Sequence, residues 1–317
     1  MRNNILLTFS DQNNLSDIGI YKHRKTREVI NVKEIDFVSF TTKSLATEIL
    51  NLLKNNKQDN IYNHESNSGL LNHLCIRENE NKEFMLEFYI QYHDKSFINF
   101  LKNIKWSILN VVSVNYQVTK NKDFREPFLN IFGDFLTYKI NNFSFSISAG
   151  CFFQTNNTIL LIMYNDVINL IKKNYNFTLL DLYCGVGIIS ILLSSYFKET
   201  IGIEVNQNSI DMAKYNSFKN KCENINFICS PVEDALDKIN YENSIIFINP
   251  PRRGIYNSVI DKIRSLDNVK QILYLSCNKK TLERDLQYFG FNYEILKEYD
   301  MFPGTSHKEY LVNISMT

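Results

Sequence analysis

The second half of the chain alternates short apolar runs with amphipathic segments, and this order constrains the fold more than any other feature of the sequence. The apolar runs have the length of buried strands and cover residues 179–183, 200–204, 226–229, 244–248, 271–275, 293–298 and 310–314. Segments 188–196 and 208–220 between them have helical character. Strands that alternate with helices build mostly parallel, doubly wound sheets. The sequence therefore predicts an α/β fold with a seven-stranded, Rossmann-like sheet.

The N-terminal part of the chain has a different pattern. Segments 42–54 and 96–103 are predicted helices, 74–77 and 84–90 are predicted strands of one hairpin, and 111–118 is extended. This mixture predicts an α+β domain ahead of the sheet. We place the first domain at residues 1–145 and the second at 146–317. The polar stretch 142–150 is expected to connect them, and a helix over 158–172 to open the second.

The charge balance of the chain limits which partners it can attract. The formal net charge is +1, so no overall field attracts the chain to nucleic acid or membrane. Any contact with RNA must come from a local patch of cations, because clustered cations neutralise phosphates whatever the total charge. The densest patch holds Lys22, Arg24, Lys25 and Arg27, which we treat as candidate substrate-binding residues. The alternative, a solvated turn between two strands, stays open.

The cysteines argue against a metal centre. Six are present, at positions 75, 151, 184, 222, 229 and 277, and no two form a Cys-x-x-Cys pair. Their separations fit neither zinc nor iron–sulfur ligand sets, so we predict no metal and no cluster. No apolar stretch approaches the roughly 20 residues needed to cross a bilayer, and residues 1–10 are too short for a signal peptide. A cytoplasmic location is the expectation.

A glycine turn marks the predicted cofactor site. It covers residues 181–187, where the first strand passes into the first helix, and contains Gly185 and Gly187. Glycines there let the backbone approach a ligand closely. The dinucleotide pattern does not apply, because Ser190 stands at its third glycine. Glu204 ends the second strand 17 residues beyond Gly187, where it can accept hydrogen bonds from ribose hydroxyls. This arrangement resembles the S-adenosylmethionine-dependent methyltransferase fold.

A thiol and a carboxylate near the C-terminus suit a reaction with a nucleophile and a base. Cys277 follows the apolar run 271–275, and Glu309 stands two residues after His307. A lone cysteine beside a core strand is more often inert packing, and a lone acid before a last strand is more often exposed. The pairing with a cofactor turn is what favours nucleophilic and acid–base roles.

Several motifs together resemble the RNA uracil-5-methyltransferases, which make 5-methyluridine in transfer and ribosomal RNA. They are Phe-Phe-Gln-Thr-Asn at 152–156, the turn at 181–187, Asn-Pro-Pro-Arg at 249–252, Ser-Cys-Asn at 276–278 and Pro-x-Thr-x-His-x-Glu at 303–309. The resemblance covers at least residues 140–314, and 19–30 and 69–77 are similar to the family's middle domain. It implies S-adenosylmethionine as cofactor and RNA as substrate. Segment 69–77 favours ribosomal over transfer RNA, and a monomer is expected.

The resemblance also implies roles for individual residues. Uracil carbon 5 is a weak nucleophile until a thiolate adds to carbon 6, and the family assigns that addition to the position of Cys277. Glu309 matches the base that removes the carbon 5 proton, and Arg252 matches an arginine that organises the site. Gln154 matches a contact to cofactor and uracil, and Phe152 can stack on a flipped base. The matching cofactor positions are Tyr183, Ile188, Glu204 and Asn249.

The chain departs from the family pattern at two points, and two alternatives remain. Asn249 replaces the usual aspartate, and both the N-terminal β-barrel and the cluster cysteines of many relatives are missing, so residues 1–150 and the cleft are expected to hold the RNA. Asn249 followed by two prolines is also typical of methyltransferases that act on exocyclic amines, although Arg252 replaces their aromatic residue. The second alternative is a non-catalytic RNA-binding or RNA-folding factor.

Overall fold

The computed structural model describes residues 3–12, 15–22, 28–119, 126–154, 156–171, 174–239, 243–266, 268–301 and 308–315. The chain divides into two units. Unit 1 comprises Met1–Tyr138 and Ile147–Gly150, and unit 2 comprises Lys139–Ser146 and Cys151–Thr317. In the part of the chain that is described, no helix combines the length and apolar character that crossing a membrane requires.

Unit 1 is built on a seven-stranded sheet, and its described residues include two α-helices. The strands are β1 (Asn4–Gln12), β2 (Leu15–Tyr21), β3 (Val29–Asn31), β4 (Leu71–Glu78), β5 (Phe84–Ile90), β6 (Val111–Val118) and β7 (Leu129–Gly133), and the helices are α1 (Phe40–Asn55) and α2 (Lys95–Asn103). The strand order is β3-β2-β1-β4-β5-β6-β7. Neighbouring strands are antiparallel except β5 and β6, which the helix α2 connects in parallel. This arrangement confirms the predicted helices and the hairpin of β4 and β5.

Helix α1 shows why its sequence folds as it does. Leu45, Ile49 and Leu53 recur at intervals of four residues and are buried, which is the stripe of a helix packed on one face. The Ser39 side chain accepts a hydrogen bond from Thr42 N at 3.0 Å and caps the helix start.

The polar stretch 142–150 runs between the two units, as predicted, but it also contains a strand that the prediction lacked. Residues 143–147 form strand β9 (Phe143–Ile147), which lies beside β8 (Leu136–Ile140) in a two-stranded sheet. Phe143, Phe145 and Ile147 alternate with serines, and Phe145 and Ile147 are fully buried. A period of two residues is the signature of a half-buried strand, and it outweighs the polar composition of the segment.

Unit 2 contains the predicted seven-stranded sheet. Its strands are β10 (Asn174–Leu182), β11 (Phe197–Glu204), β12 (Ile225–Cys229), β13 (Ser244–Ile248), β14 (Val269–Ser276), β15 (Asn292–Tyr299) and β16 (Glu309–Ser315). Its helices are α3 (Asn157–Leu170), α4 (Ile188–Leu193), α5 (Gln207–Lys219), α6 (Val232–Leu236), α7 (Asn257–Arg264) and α8 (Lys279–Phe289). The first five strands are parallel to one another, and β16 runs antiparallel between β14 and β15.

The strand order of unit 2 fixes where a ligand can bind. It reads β12-β11-β10-β13-β14-β16-β15, so the chain changes direction along the sheet between β10 and β13. Ligands of open α/β sheets bind beyond the carboxyl ends of the strands at such a switch point. Because β16 is antiparallel, its first residue lies at that same edge, and Tyr310 pairs in register with Ser276.

Candidate functional site

The carboxyl edge of the unit 2 sheet gathers residues that are far apart in sequence. Tyr183 follows β10, Glu204 ends β11, Asn249 follows β13 and Cys277 follows β14. Glu309 begins the antiparallel β16 at the same edge. These are the candidate cofactor and catalytic residues that the sequence analysis proposed, and the topology brings them to one edge of one sheet.

Cys277 and Arg252 lie close enough for the arginine to affect the ionisation of the thiol. The thiol is half-buried, and burial raises its pKa above the ordinary value, with a further rise from the charge of Glu309. The Arg252 guanidinium opposes that rise through its positive charge and through a hydrogen bond to the sulfur. Arg252 therefore stabilises the thiolate, which is the nucleophilic form of a cysteine.

Glu309 is a buried carboxyl group beside the same two residues. Its side chain is 3% exposed, and burial raises its pKa to about 7. A hydrogen bond from Gln154 and the charge of Arg252 hold the pKa below what burial alone would give. Oε2 is buried and has no hydrogen-bond partner among the described residues. A carboxyl group that titrates near neutral pH can take up and release a proton during a reaction.

The loop that carries Arg252 is held in place by Asp285, a buried residue on α8. Asp285 Oδ2 accepts hydrogen bonds from Ile255 N at 2.9 Å and from the Tyr274 hydroxyl at 2.7 Å. Its Oδ1 accepts from Arg284 Nε at 2.9 Å. One carboxylate thus joins the loop after β13, the end of β14 and helix α8.

Two further bonds connect this loop to the residues after Cys277. Asn278 Nδ2 donates to Arg252 O at 3.1 Å, and Thr281 Oγ1 donates to the same oxygen at 3.3 Å. Sequence reasoning missed Asp285, although a signal existed. Leu282, Leu286 and Phe289 form the buried face of α8, and Asp285 lies on that face. A carboxylate at a core position of a helix needs partners.

The glycine turn has a backbone that few residue types adopt. Tyr183, Gly185 and Gly187 have φ angles of +63°, +53° and +81°. A side chain at Gly187 would meet the Phe227 ring at 2.9 Å, whereas one at Gly185 would enter open space. Gly187 is therefore required by packing, while Gly185 leaves room for a ligand to approach the backbone.

Glu204 and two buried polar residues hold this turn. Glu204 Oε2 accepts a hydrogen bond from Gly185 N at 3.3 Å. Asn216 Nδ2, fully buried on α5, donates to Val186 O at 3.2 Å. Asp181 accepts from Ser190 N at 3.0 Å and from its hydroxyl at 2.6 Å. Burial raises the pKa of Asp181 to about 7, and the charge of Glu204 adds to that effect.

The remaining candidates in unit 2 differ in exposure. Asn249 is half-buried, and its backbone N–H donates to Leu182 O at 3.3 Å, which ties the ends of β13 and β10 together. Ile188 is 7% exposed and mainly a core residue. Phe152 is 68% exposed, so its ring is available for stacking.

The basic patch predicted for RNA lies in unit 1 and is only partly described. Lys22 Nζ forms an ion pair with Glu28 at 3.0 Å, and both side chains are about half exposed. Arg24, Lys25 and Arg27 lie outside the described residues, as do Pro303, Thr305 and His307 of the C-terminal motif. No group of three or more potential metal-binding side chains occurs among the residues with described positions.

Comparisons with known proteins give consistent results. A family model described as tRNA (Uracil-5-)-methyltransferase matches residues 2–316. An uncharacterised RNA methyltransferase of Fusobacterium nucleatum is 31% identical over 97% of this chain and 68% of that protein. A second, from Clostridium acetobutylicum, is 29% identical over 98% of this chain and 71% of that protein.

Among solved structures, the Pyrococcus abyssi tRNA (uracil-54, C5)-methyltransferase in complex with S-adenosyl-L-homocysteine has the same fold. The TM-score is 0.78 at 23% identity, and the match covers 99% of this chain and 74% of the other.

Proposed function

This chain belongs to the tRNA (uracil-5-)-methyltransferase family, and from that premise we propose that it transfers a methyl group from S-adenosylmethionine to carbon 5 of a uridine in RNA. The observation that carries the proposal is the group of three side chains at the carboxyl edge of the unit 2 sheet. A half-buried thiol, an arginine that stabilises its thiolate and a buried carboxyl group with a pKa near 7 lie together. That set supplies the nucleophile and the base that carbon 5 methylation requires.

The residues at the switch point fit an adenosine cofactor. Open space beside Gly185 admits a ligand close to the backbone, and Glu204 holds that backbone with one oxygen at the end of β11. A carboxylate at this position accepts hydrogen bonds from ribose hydroxyls in nucleotide-binding α/β folds. We propose that Tyr183, Gly185, Glu204 and Asn249 hold S-adenosylmethionine, which supplies an electrophilic methyl group when it is bound.

The protein groups act before and after methyl transfer. The Cys277 thiolate adds to uracil carbon 6, and the electron pair of the carbon 5–carbon 6 double bond moves toward the carbonyl oxygen on carbon 4. Arg252 stabilises the thiolate through charge and a hydrogen bond. Once carbon 5 carries the methyl group, Glu309 takes its proton, the double bond re-forms and the thiolate leaves carbon 6. Gln154 fixes the Glu309 carboxyl group during both steps.

The proposal predicts a covalent enzyme–RNA adduct through Cys277. In RNA that contains 5-fluorouracil, fluorine replaces the proton that Glu309 must remove, so the carbon 6–sulfur bond cannot break. We expect an adduct that survives denaturing electrophoresis with wild type and is absent with Cys277→Ala. With unmodified RNA, Glu309→Gln should accumulate a methylated adduct because proton removal is lost.

The nature of the product separates this function from its alternatives. Nucleosides from methylated transfer RNA and from large-subunit ribosomal RNA transcripts are identified by mass spectrometry. 5-Methyluridine without an adduct on 5-fluorouracil RNA would refute the thiol mechanism. A methyl group on an exocyclic amine would refute uracil methylation, and no methyl transfer to either RNA would favour a non-catalytic factor. The ribosomal preference, the cytoplasmic location and the monomeric state stay predictions.

A further inference from the structure

Unit 2 carries two basic segments beside Cys277 that lack an acidic partner among the described residues. Arg253 follows Arg252 in the loop after β13, and Lys279 and Lys280 open helix α8 two residues after the thiol. All four side chains are exposed. Arg253, Lys279 and Lys280 form no ion pair with any residue in the described ranges, and Glu298, an acid within electrostatic reach of Lys279, is already paired with Lys308 at 2.9 Å.

The two segments are held against each other. Asn278 Nδ2 donates to Arg252 O at 3.1 Å, and Arg284 Nη2 donates to Arg253 O at 2.9 Å. The Arg253 guanidinium lies 4.7 Å from the centre of the Tyr256 ring, which keeps its position defined while it remains exposed. The backbone segments that carry Arg253, Lys279 and Lys280 are therefore held together by hydrogen bonds next to the thiol.

The position of Lys279 and Lys280 is unfavourable for helix α8 itself. The N-terminus of a helix carries partial positive charge and favours acids. The first turn of α8 contains no acidic residue and begins with Lys279 and Lys280. Cations that oppose a helix dipole and lack a protein partner are expected where an external anion pairs with them.

We infer that Arg253, Lys279 and Lys280 form a phosphate-binding rim that holds the RNA backbone on either side of the uridine presented to Cys277. The inference rests on the proposed function, because it identifies the anion as the substrate's own backbone. It adds a second basic surface to the Lys22–Arg27 patch and places it in unit 2. A backbone contact at this position carries no base specificity, so the rim orients the strand while other contacts select the nucleotide.

The test is the salt dependence of RNA binding by matched variants. The rim variant is Arg253→Gln, Lys279→Gln and Lys280→Gln. The control variant removes three other exposed lysines of unit 2 (Lys198→Gln, Lys214→Gln, Lys270→Gln), two of which lie at the amino ends of β11 and β14. The net charge changes equally in both. The probe is a fluorescein-labelled 12-nucleotide poly(U) RNA, and Kd is measured by anisotropy from 50 to 300 mM KCl.

Each phosphate contact contributes about 0.7 to the slope of log Kd against log salt on single strands, so the rim variant should lose about 2 from that slope and bind about tenfold or more weakly at low salt. The control variant should retain the wild-type slope. Three outcomes would each overturn the inference. They are an unchanged slope in the rim variant, an equal loss of slope in the rim and control variants, and salt-independent binding by wild type. The product nucleoside, identified separately, decides the proposed function, so either proposal can fail while the other stands.

Discussion

At the scale of single residues, the ionisation of Glu309 is costly to the folded state and useful to the reaction. The group is buried, with one hydrogen bond from Gln154 and an unpartnered Oε2 among the residues described. Its pKa of about 7 lies above the ordinary value of 4.5. The folded protein therefore binds more protons than the unfolded chain between these values, and its stability falls as pH rises through that window.

This cost predicts the pH dependence of stability in Glu309→Gln. Glutamine keeps the size and a polar head group but cannot ionise. The free energy of unfolding of the variant should therefore rise relative to that of wild type by about 2–3 kcal/mol between pH 5 and pH 8. This difference should vanish near pH 4, where the wild-type carboxyl group is protonated in both the folded and the unfolded state. Urea unfolding followed by circular dichroism at several pH values measures the free energy of unfolding. Asp181 also has a raised pKa and is common to both proteins, so the difference isolates Glu309. Parallel pH profiles would contradict the assignment of a raised pKa.

At the scale of elements, the site depends on the attachment of one loop to one helix. Asp285 joins the loop after β13, the end of β14 and α8 through hydrogen bonds from Ile255 N, Tyr274 and Arg284. Gly254 accommodates this contact, since a side chain there would lie 2.4 Å from Asp285 Oδ2. We expect Arg252 to keep its position near Cys277 only while this loop is held.

We expect Asp285→Asn to release Arg252 from Cys277. An amide can accept only through one oxygen, so a donor of Ile255, Tyr274 or Arg284 faces the NH2 group, at a cost of about 1.5–3 kcal/mol for each charge-assisted bond lost. Without Arg252 nearby, the pKa of the Cys277 thiol should rise further. The rate of Cys277 alkylation by iodoacetamide, followed by peptide mass spectrometry, should shift to higher pH.

Two controls separate positioning from general loss of structure. Arg252→Gln should give the full shift of the alkylation profile, and Tyr274→Phe, which removes one donor but keeps the carboxylate, should give a smaller one. A wild-type profile in Asp285→Asn would show that the carboxylate serves stability alone.

The elements that the sequence predicts best are those with both faces covered. The run 244–248 matches β13 residue for residue, because a strand buried on both faces is a continuous apolar run. The prediction missed β9, where serines mask a period of two, and β1, where Ile5, Leu7 and Phe9 have the same period. At both positions the period of two residues, and not the composition, indicates the strand.

The candidate site could be predicted from the sequence to the extent that it follows from strand topology and from family motifs. Antiparallel pairing of β14 and β16 brings Glu309 beside Cys277, and the motifs supply Arg252 and Gln154. The contact of Asp285 with three separate elements could not be predicted, because it depends on the path of the loop after β13. The sequence alone does not distinguish Lys279 and Lys280, because two adjacent cations in a helix are typical of a solvated face.

At the scale of the whole molecule, each unit has buried apolar clusters of its own. Among the described residues, one such cluster lies within unit 1 and two lie within unit 2. Unit 1 also encloses an ion pair, since Arg77 Nε lies 3.1 Å from Glu87 Oε1 and both side chains are almost fully buried. Glu87 Oε1 also accepts a hydrogen bond from Gly150 N at 3.1 Å. Units with their own cores are expected to unfold in separate steps.

Glu87→Ala tests this separation. The substitution leaves the Arg77 charge buried without its partner, which should cost about 3–5 kcal/mol. The only tryptophan of the chain, Trp106, is buried in unit 1, so its fluorescence follows the unfolding of that unit in urea. We expect the Trp106 midpoint to fall while the hydrogen exchange of β13, in the core of unit 2, keeps its wild-type protection. Glu87→Gln retains a hydrogen-bond acceptor beside Arg77, so its Trp106 midpoint should fall less than that of Glu87→Ala. Equal loss of protection in β13 would mean that the two cores unfold as one, because the damage in unit 1 would then have destabilised unit 2 to the same degree.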